Sequence, residues 1–577
     1  MTPAGGDRLL LRIARHGGWW LALVGTASVA GAIAQVLLPA ALGRALDSAL
    51  LADETTHGTH GGTSQWLAYC CLLVAVIVVS AAAATLATGM ASTTATAWLR
   101  RLLAGHVLGC GAGLLDGSGA AFSAGDVVSR FVGGTVDAAS APGSAVLALT
   151  AVISPAGSVV ALGLIDPWLA VAFAAGFPAL AMVVRRLVRD SASVNVSYQA
   201  ALGAIAGRLL DALGGARTIA AAGTAPAERR RILASLPALN AAGTTSWQVL
   251  GRAAAQGAII VPALQVIVLA VAGVELARHR ITPGELLAAS QYVVIAVGVG
   301  ASIGQLTRLG RARAGASRVA DLFAWPRRRY GDSQLATGAT GELRFSNVTV
   351  RRGDRVVLDD LTMTVPGGAA VAVVGASGSG KSTLAALAGR MLDPDEGAVE
   401  LDDCALPWLT RRALRTAVVY AFERPALFGD TVADAIRFGV VSPASEAIAA
   451  ALHSSQAAGF VTRLPDGADT PLRHAPMSGG EMQRLGLARA FAHARDARLL
   501  ILDDATSSLD TATEMLVGRM LTEQFDDRTR LIVAHRASTA ARADLVAWLD
   551  EGTLIALAPH SELWDDQDYR ALFMEAC

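Results

Sequence analysis

Eight consecutive residues, Gly375-Ala376-Ser377-Gly378-Ser379-Gly380-Lys381-Ser382, fit the pattern G-x-x-x-x-G-K-[ST]. Glycines at these spacings let successive backbone N–H groups turn toward phosphate oxygens, and a helix beginning at the end of the loop adds its positive pole. Lysine at the seventh position reaches the β- and γ-phosphates, and the hydroxyl after it ligates magnesium. The chemistry is the binding of a nucleoside triphosphate with its cation, with Thr383 continuing the same turn. Lys381 is also the only lysine among 48 basic residues. Arginine takes every other basic position, a coding bias that makes the one lysine a residue with a reason.

Other residues with chemical potential lie downstream. The apolar run Leu499–Leu502 leads into Asp503-Asp504, which reads as a buried strand ending in carboxylates. Ser507-Ser508-Leu509-Asp510 follows, and the run Leu531–Ala534 ends at His535, by itself an ordinary loop histidine. Ser478-Gly479-Gly480-Glu481 precedes a helical pattern that begins near Met482; alone it is a common helix-capping turn.

These residues need elements to hold them. Alternation over Leu343–Val350 predicts a strand, and the apolar run Ala369–Val374 predicts another that ends in the glycine loop and passes into a helix. The 577 residues are 53% hydrophobic and 17% charged, against about 25% charged in soluble domains. Formal net charge is zero, which argues against a nucleic-acid partner. The average hides two polymers. Residues 1–325 carry 22 arginines against 14 carboxylates, net +8, and residues 326–577 carry 26 basic against 34 acidic groups, net −8.

The first part holds six long apolar runs, at about Trp19–Leu42, Trp66–Met90, Ser144–Ile165, Pro167–Val184, Ala253–Val274 and Glu285–Leu306. Each approaches the roughly 20 residues of a membrane-spanning helix. Only Asp166-Pro167 separates the third from the fourth, predicting a tight hairpin. The first run is too long and too glycine-broken for a signal peptide and reads as an uncleaved span. Arginines concentrate before span 1, between spans 2 and 3 (Arg100, Arg101, Arg130) and between spans 4 and 5 (Arg185 to Arg231), whereas the alternate loops around Asp53–Ser64 and Asp166 carry none and the third holds Arg278 and Arg280. The positive-inside rule then places the N-terminus and the second part in the cytoplasm. The inner connections, about 50 to 65 residues long, predict helices projecting into the cytoplasm. Cys70, Cys71, Cys110, Cys404 and Cys577 form no spaced framework, so neither a disulfide scaffold nor a zinc site is expected. A polar, glycine-bearing linker at about 326–341 separates a transmembrane domain (1–325) from a nucleotide-binding domain (342–577).

The ordered set of glycine loop, Ser-Gly-Gly-Glu, apolar run into Asp-Asp, Ser-Ser-Leu-Asp and Ala-His-Arg resembles the ATPase domain of ABC transporters. Preceded by six spans in one chain, it resembles a type IV exporter half-transporter. Gly125-Asp126 with Ser129-Arg130, and Gly215-Ala-Arg217-Thr-Ile219, resemble the regions near that family's coupling helices. The resemblance implies an all-α six-helix transmembrane domain followed by an α/β P-loop ATPase domain, in a membrane dimer with ATP and Mg2+ as cofactors. Each ATP would lie between one chain's glycine loop (Gly375–Thr383) with Asp503 and the other chain's signature, Ser478-Gly479-Gly480-Glu481, with Asp510. Magnesium would rest on Ser382, Asp503 and the Q-loop residue Glu423, with Asp504, His535 and Glu423 catalytic.

Three site positions depart from the family pattern. The adenine-stacking tyrosine is Arg352, the Q-loop glutamine is Glu423, and the catalytic glutamate is Asp504, one methylene shorter. A guanidinium can still stack on a base, and a carboxylate can still meet magnesium. A shorter base sits farther from the attacking water, and general-base catalysis depends on hydrogen-bond reach. Thr470 to Pro476, moreover, replaces the acidic, glycine-containing stretch before the signature. All three site changes would line the site built on this chain's own loop, while the signature is nearly intact. This reads as one subunit of a heterodimer, with a homodimer of two slow sites, or a lineage in which Asp serves as a competent base, as the alternatives. Expected work is ATP-driven export of a small molecule, peptide or lipid-like solute across the cytoplasmic membrane. Import by the same architecture and an ATP-gated regulatory protein are the alternatives. No cargo is legible. Gln35, Arg252, Gln256, Gln265, Glu275, Gln291 and Gln305 lie in or beside spans as pathway or inter-helix candidates. His57 and His60 read as a solvated loop more readily than a metal site. The stretch before span 1 leaves no room for a leader peptidase, so no peptide processing is expected.

Overall fold

The computed structural model describes residues 4–51, 60–111, 122, 124–297 and 300–574, and divides into two compact units. Met1–His106 with Gly125–Ala324 form one, and Val107–Ala124 with Trp325–Cys577 the other.

The first unit is helical. An amphipathic helix α1 (Ala4–His16) buries Leu9 and Ile13, and α2 (Gly18–Leu51) and α3 (His60–Cys110) follow. The next stretch is jointed: α4 (Ala124–Ser129), a π turn at Arg130–Gly134, α5 (Thr135–Ala139), α6 (Ala141–Thr150) and α7 (Ile153–Ile165). Asp166 then adopts an extended backbone and its carboxylate accepts from Trp168 N at 2.8 Å, capping α8 (Pro167–Gly214), so the hairpin falls where the Asp-Pro pair predicts it. After α9 (Ala216–Ala222) and α10 (Ala225–Ile232) come α11 (Leu236–Ala277), α12 (Pro283–Val297) and α13 (Gly300–Ala324).

Among the described residues five helical stretches are long and apolar enough to cross a membrane, and Pro283–Val297 is a shorter apolar helix. The sixth predicted run, Glu285–Leu306, passes through residues 298 and 299, outside those described, as does His57; of His60 only the backbone is described. Leucines and isoleucines such as Leu164, Leu149 and Ile259 face outward, as lipid-facing side chains do. Inside, small residues let helices meet. A Cβ at Gly43 would strike the Gly284 carbonyl and one at Gly284 would strike that of Gly43, which brings α2 against the start of α12. Asp47 fixes this crossing, accepting from Gly284 N at 2.7 Å and from Thr282 Oγ1 at 2.6 Å.

Two of the polar span residues make structural contacts. Glu275 is buried at the end of α11, paired with Arg278 at 2.9 Å and Arg280 at 3.3 Å. The two arginines that interrupted the charge asymmetry of the outer loops thus neutralise a buried carboxylate. Gln35 accepts from Ser154 Oγ at 3.0 Å and links α2 to α7.

The second unit holds two sheets. An antiparallel sheet has the order β2-β1-β4-β5, from β1 (Leu343–Arg352), β2 (Arg355–Val365), β4 (Glu396–Leu401) and β5 (Cys404–Ala405). The other has the order β10-β9-β3-β8-β7-β6, from β3 (Ala370–Val374), β6 (Val418–Phe422), β7 (Leu499–Asp503), β8 (Thr529–Val533), β9 (Leu545–Asp550) and the antiparallel edge strand β10 (Thr553–Ala558). Its inner strands are parallel and apolar on both faces, as strands covered on two sides must be. Val371, Val373, Leu499 and Ile501 enter the core beneath α14 (Lys381–Ala388), while Leu500 and Leu502 enter a separate helical core.

That second core is built by α16 (Val432–Arg437), α17 (Ser445–Ser454), α18 (Ala458–Val461) and α19 (Gly479–His493), with α20 (Thr511–Gln524) closing it, whereas α15 (Arg411–Ala417) gives Leu414 and Ala417 to the first core. His493 lies near its edge against Gly439. Burial holds its imidazole below the usual histidine range, and Arg489 acts in the same direction against the carbonyls of Ile436 and Arg437. The unfolded chain binds a proton near pH 6.5 where the native chain does not, so stability is full above that pH and falls as acidification proceeds toward the lower native value. The thermal unfolding midpoint of the full chain should therefore drop below about pH 6.5, and His493→Gln should flatten that slope.

Candidate functional site

Sheet order does the assembling. In sequence the candidates run Gly375, Glu423, Asp503, His535, but the strands that carry them stand as β3, β8, β7, β6. The carboxyl ends of four parallel strands therefore line up the glycine loop, His535, the Asp503-Asp504 pair and Glu423 along one edge, the edge where open α/β sheets bind ligands.

The loop between β3 and α14 is fixed by two glycines that nothing larger could replace. Gly375 has φ +150° and a Cβ there would run into the Leu549 carbonyl; Gly380 has φ +102° and its Cβ would lie 2.6 Å from Leu358 Cδ2. Lys381 opens α14 and is buried; its Nζ donates to the carbonyls of Gly375 at 2.8 Å and Ala376 at 2.9 Å. The ammonium thus folds over the loop. Burial lowers its pKa, opposed by the carboxylates of Asp504 and Asp503. Ser377, Gly378 and Ser379 form the tip, and the Ser379 Oγ is buried without a hydrogen-bond partner among the described residues.

Asp503 closes β7. Its Oδ2 accepts from the Tyr420 hydroxyl at 2.7 Å, and the Ser382 hydroxyl is near enough to this carboxylate to favour its charged form. Oδ1 is buried with no partner among the described residues. Burial pushes the carboxyl upward, with Asp504 and Glu423 acting the same way and the two hydroxyls opposing. A buried orphan oxygen beside a serine hydroxyl fits magnesium, which takes hard oxygen ligands from one or two carboxylates and the nucleotide's phosphates. When bound, the cation would neutralise charge on the phosphate oxygens.

Asp504 follows with φ +49°, in the left-handed region, and its Oδ2 lies 3.1 Å from His535 Nε2. The Glu423 side chain is half-exposed, beside Arg424 at 3.6 Å. Arg352, at the end of β1, pairs in register with Arg355 across the Gly353-Asp354 turn. It is the Arg355 guanidinium that comes within 3.9 Å of a Cβ placed on Gly378, a neighbour that sequence spacing did not single out.

The Ser-Gly-Gly-Glu turn starts its helix three residues earlier than the apolar pattern predicted. Ser478 is the N-cap of α19, its hydroxyl accepting from Glu481 N at 3.3 Å, while the Glu481 carboxylate accepts from Ser478 N at 2.8 Å. The polar side chains thereby satisfy each other, and Gly479 is left exposed at a helix N-terminus. Gly480 packs on the Ser508 carbonyl, at 3.0 Å from a built Cβ, so the turn lies beside Ser507-Ser508. Asp510 caps α20 through Thr513 N at 3.0 Å, and its bonds to Thr513 hold it below the usual carboxylate range.

Gln483 is a residue the sequence reading missed. It is buried on α19; its Nε2 donates to the Glu423 carbonyl at 2.8 Å and to Ser507 Oγ at 3.0 Å, and its Oε1 accepts from Ser508 N at 2.8 Å. One amide thus ties three candidate segments together. A lone glutamine in a helical pattern gives no sign of this.

Comparison with known proteins agrees with this architecture. Residues 21–299 match the model of the ABC transporter transmembrane region, and residues 358–507 match that of the ABC transporter. The chain is 45% identical over 552 residues to the ABC transporter ATP-binding protein RamA of Streptomyces coelicolor, covering 96% of this chain and 84% of that one. It is 36% identical over 304 residues to an ATP-dependent lipid A-core flippase of Burkholderia pseudomallei, about half of each chain (52% and 50%). It is 35% identical over 396 residues to the multidrug efflux ATP-binding/permease protein Rv0194 of Mycobacterium tuberculosis, 67% of this chain and 33% of that one. Among solved structures, a bacterial Atm1-family ABC exporter with ATP bound superposes with TM-score 0.75 at 25% identity, covering 95% of this chain and 98% of the other. A transmembrane region and a nucleotide-binding ATPase fused in one polypeptide of type IV exporter fold make this chain a member of the ABC transporter family, an ATP-hydrolysing membrane transporter.

Proposed function

We propose that this chain is one half of a dimeric exporter in the cytoplasmic membrane, with its ATPase unit in the cytoplasm and a slow ATP site on its own glycine loop. Its partner is a second half-transporter, of a different sequence in the favoured reading. The observation that carries the proposal is Asp504. A carboxylate one methylene short of glutamate follows the strand at the base position, and its oxygen faces His535 at 3.1 Å. The exposed N-terminus of α19, with Gly479 open, is a surface that can take the phosphates of a nucleotide held by the partner. ATP binding would favour the closed pair, and hydrolysis would release it, so the ligand shifts the population between two states.

Export is supported by the similarity to a flippase and a multidrug efflux protein, and by the exporter whose fold the chain shares. The cargo class remains a small molecule, peptide or lipid-like solute. The direction is tested with a fluorescent phospholipid and a hydrophobic dye in membrane vesicles containing the chain and its partner. ATP should drive accumulation in inside-out vesicles, and Lys381→Ala should reduce it. ATP-driven uptake in right-side-out vesicles would overturn the export reading.

A further inference from the structure

Tyr420 is buried, 9% exposed, in the middle of β6, and nothing in the motif pattern points to it. Strand register explains its reach. Tyr420 pairs with Ile501 on β7, and Asp503 stands two residues farther along the same face. Such a diagonal neighbour is about 7–8 Å away, beyond a short side chain but within reach of a phenol. The hydroxyl donates to Asp503 Oδ2 at 2.7 Å.

Two contacts hold the ring in that pose. Phe422 packs on it with centroids 4.4 Å apart, and Gly389, the residue that ends α14, lies against the ring edge. A Cβ at Gly389 would sit 2.7 Å from Tyr420 Cδ2 and 3.0 Å from Cε2. The helix that carries the phosphate loop therefore ends in the one residue that leaves room for this ring. With Oδ2 taken by the phenol, Oδ1 is the oxygen left unpartnered among the described residues.

The geometry points to Tyr420 as a positioning residue for the metal. It clamps one oxygen of Asp503 so that the other is presented to the magnesium of the bound nucleotide. This rests on the reading of Asp503 as the carboxylate that meets the cation. Groups behind a metal ligand typically change metal affinity 10- to 100-fold when removed.

The experiment measures binding, not turnover: a fluorescent ATP analogue titrated onto the full-length chain in lipid nanodiscs, across a range of Mg2+ concentrations and in EDTA. Tyr420→Phe keeps the ring and removes only the donor. It should raise the Mg2+ needed for half-maximal binding by about tenfold or more while leaving binding in EDTA unchanged. Gly389→Ala, which displaces the ring, should shift the Mg2+ dependence the same way. Asp503→Asn should abolish it. If Asp503→Asn abolishes the Mg2+ dependence but Tyr420→Phe leaves it intact, the clamp is overturned while the reading of Asp503 stands. If Asp503→Asn also leaves it intact, that reading falls and the clamp with it. A lower unfolding temperature in Tyr420→Phe with unchanged Mg2+ dependence would likewise overturn the inference, leaving a purely structural phenol.

Discussion

Lys381→Ala should reduce both nucleotide affinity and ATP turnover by about 10²-fold or more, the scale on which removal of one preorganised electrostatic donor acts. The reason is local charge. Asp503, Asp504 and Glu423 converge on one edge of the sheet, and Lys381 is the buried cation whose charge is felt against the first two. Its ammonium sits on the Gly375 and Ala376 carbonyls at 2.8 and 2.9 Å, a short swing from where phosphate oxygens would lie. Alanine leaves the carboxylates facing an anionic ligand with no counter-charge. Arginine should not restore function, because its planar fork does not fit a pocket shaped for a point charge. The chain offers an independent check, since it has no other lysine. Amine-reactive labelling beyond the N-terminus reports this side chain alone, and ATP should protect it. Equal labelling with and without ATP would contradict the assignment.

The second large effect concerns Asp504. Its backbone is left-handed and its carboxylate is directed at His535, so the side chain is held by both ends of a short tether. Glutamate adds one methylene and lengthens the reach of the carboxylate. General-base catalysis contributes about 10²–10⁴-fold, and recovering part of that reach should raise ATP turnover by about tenfold or more. Asp504→Asn, which keeps the size and removes the base, should lower the residual rate further. Together the two variants separate length from basicity. His535→Ala in the wild-type background should also lower the rate, because it removes the group that orients the carboxylate.

The parts of the site that were legible in the sequence share a physical form. Gly375–Ser382, Asp503-Asp504 and His535 each follow a short apolar run, and a run of that kind ending in glycine or a charge is what the carboxyl end of a buried parallel strand must look like. The hairpin at Asp166-Pro167 was legible because proline cannot continue a helix from an extended Asp. What escaped was set by tertiary register. Tyr420 and Gln483 act through partners distant in the chain, 83 residues away for the first and 24 to 60 for the second, and no local periodicity encodes such pairings. The helix at Ser478 began early because a reciprocal cap, not an apolar stripe, starts it. Jointing of the stretch between Ala124 and Ile165 also lay beyond pattern, since Gly133, Gly134 and Pro142 are compatible with one long helix or several short ones.

The central claim is that this chain's own ATP site is slow because its base is short. The most direct measurement is single-turnover phosphate release from Mg-ATP by the purified full-length chain alone, compared with Asp504→Glu in the same membrane mimic. Release should be slow in the wild-type chain and rise by about tenfold or more in the variant. Rapid release by the wild-type chain, lost in Lys381→Ala and not increased by Asp504→Glu, would contradict that claim.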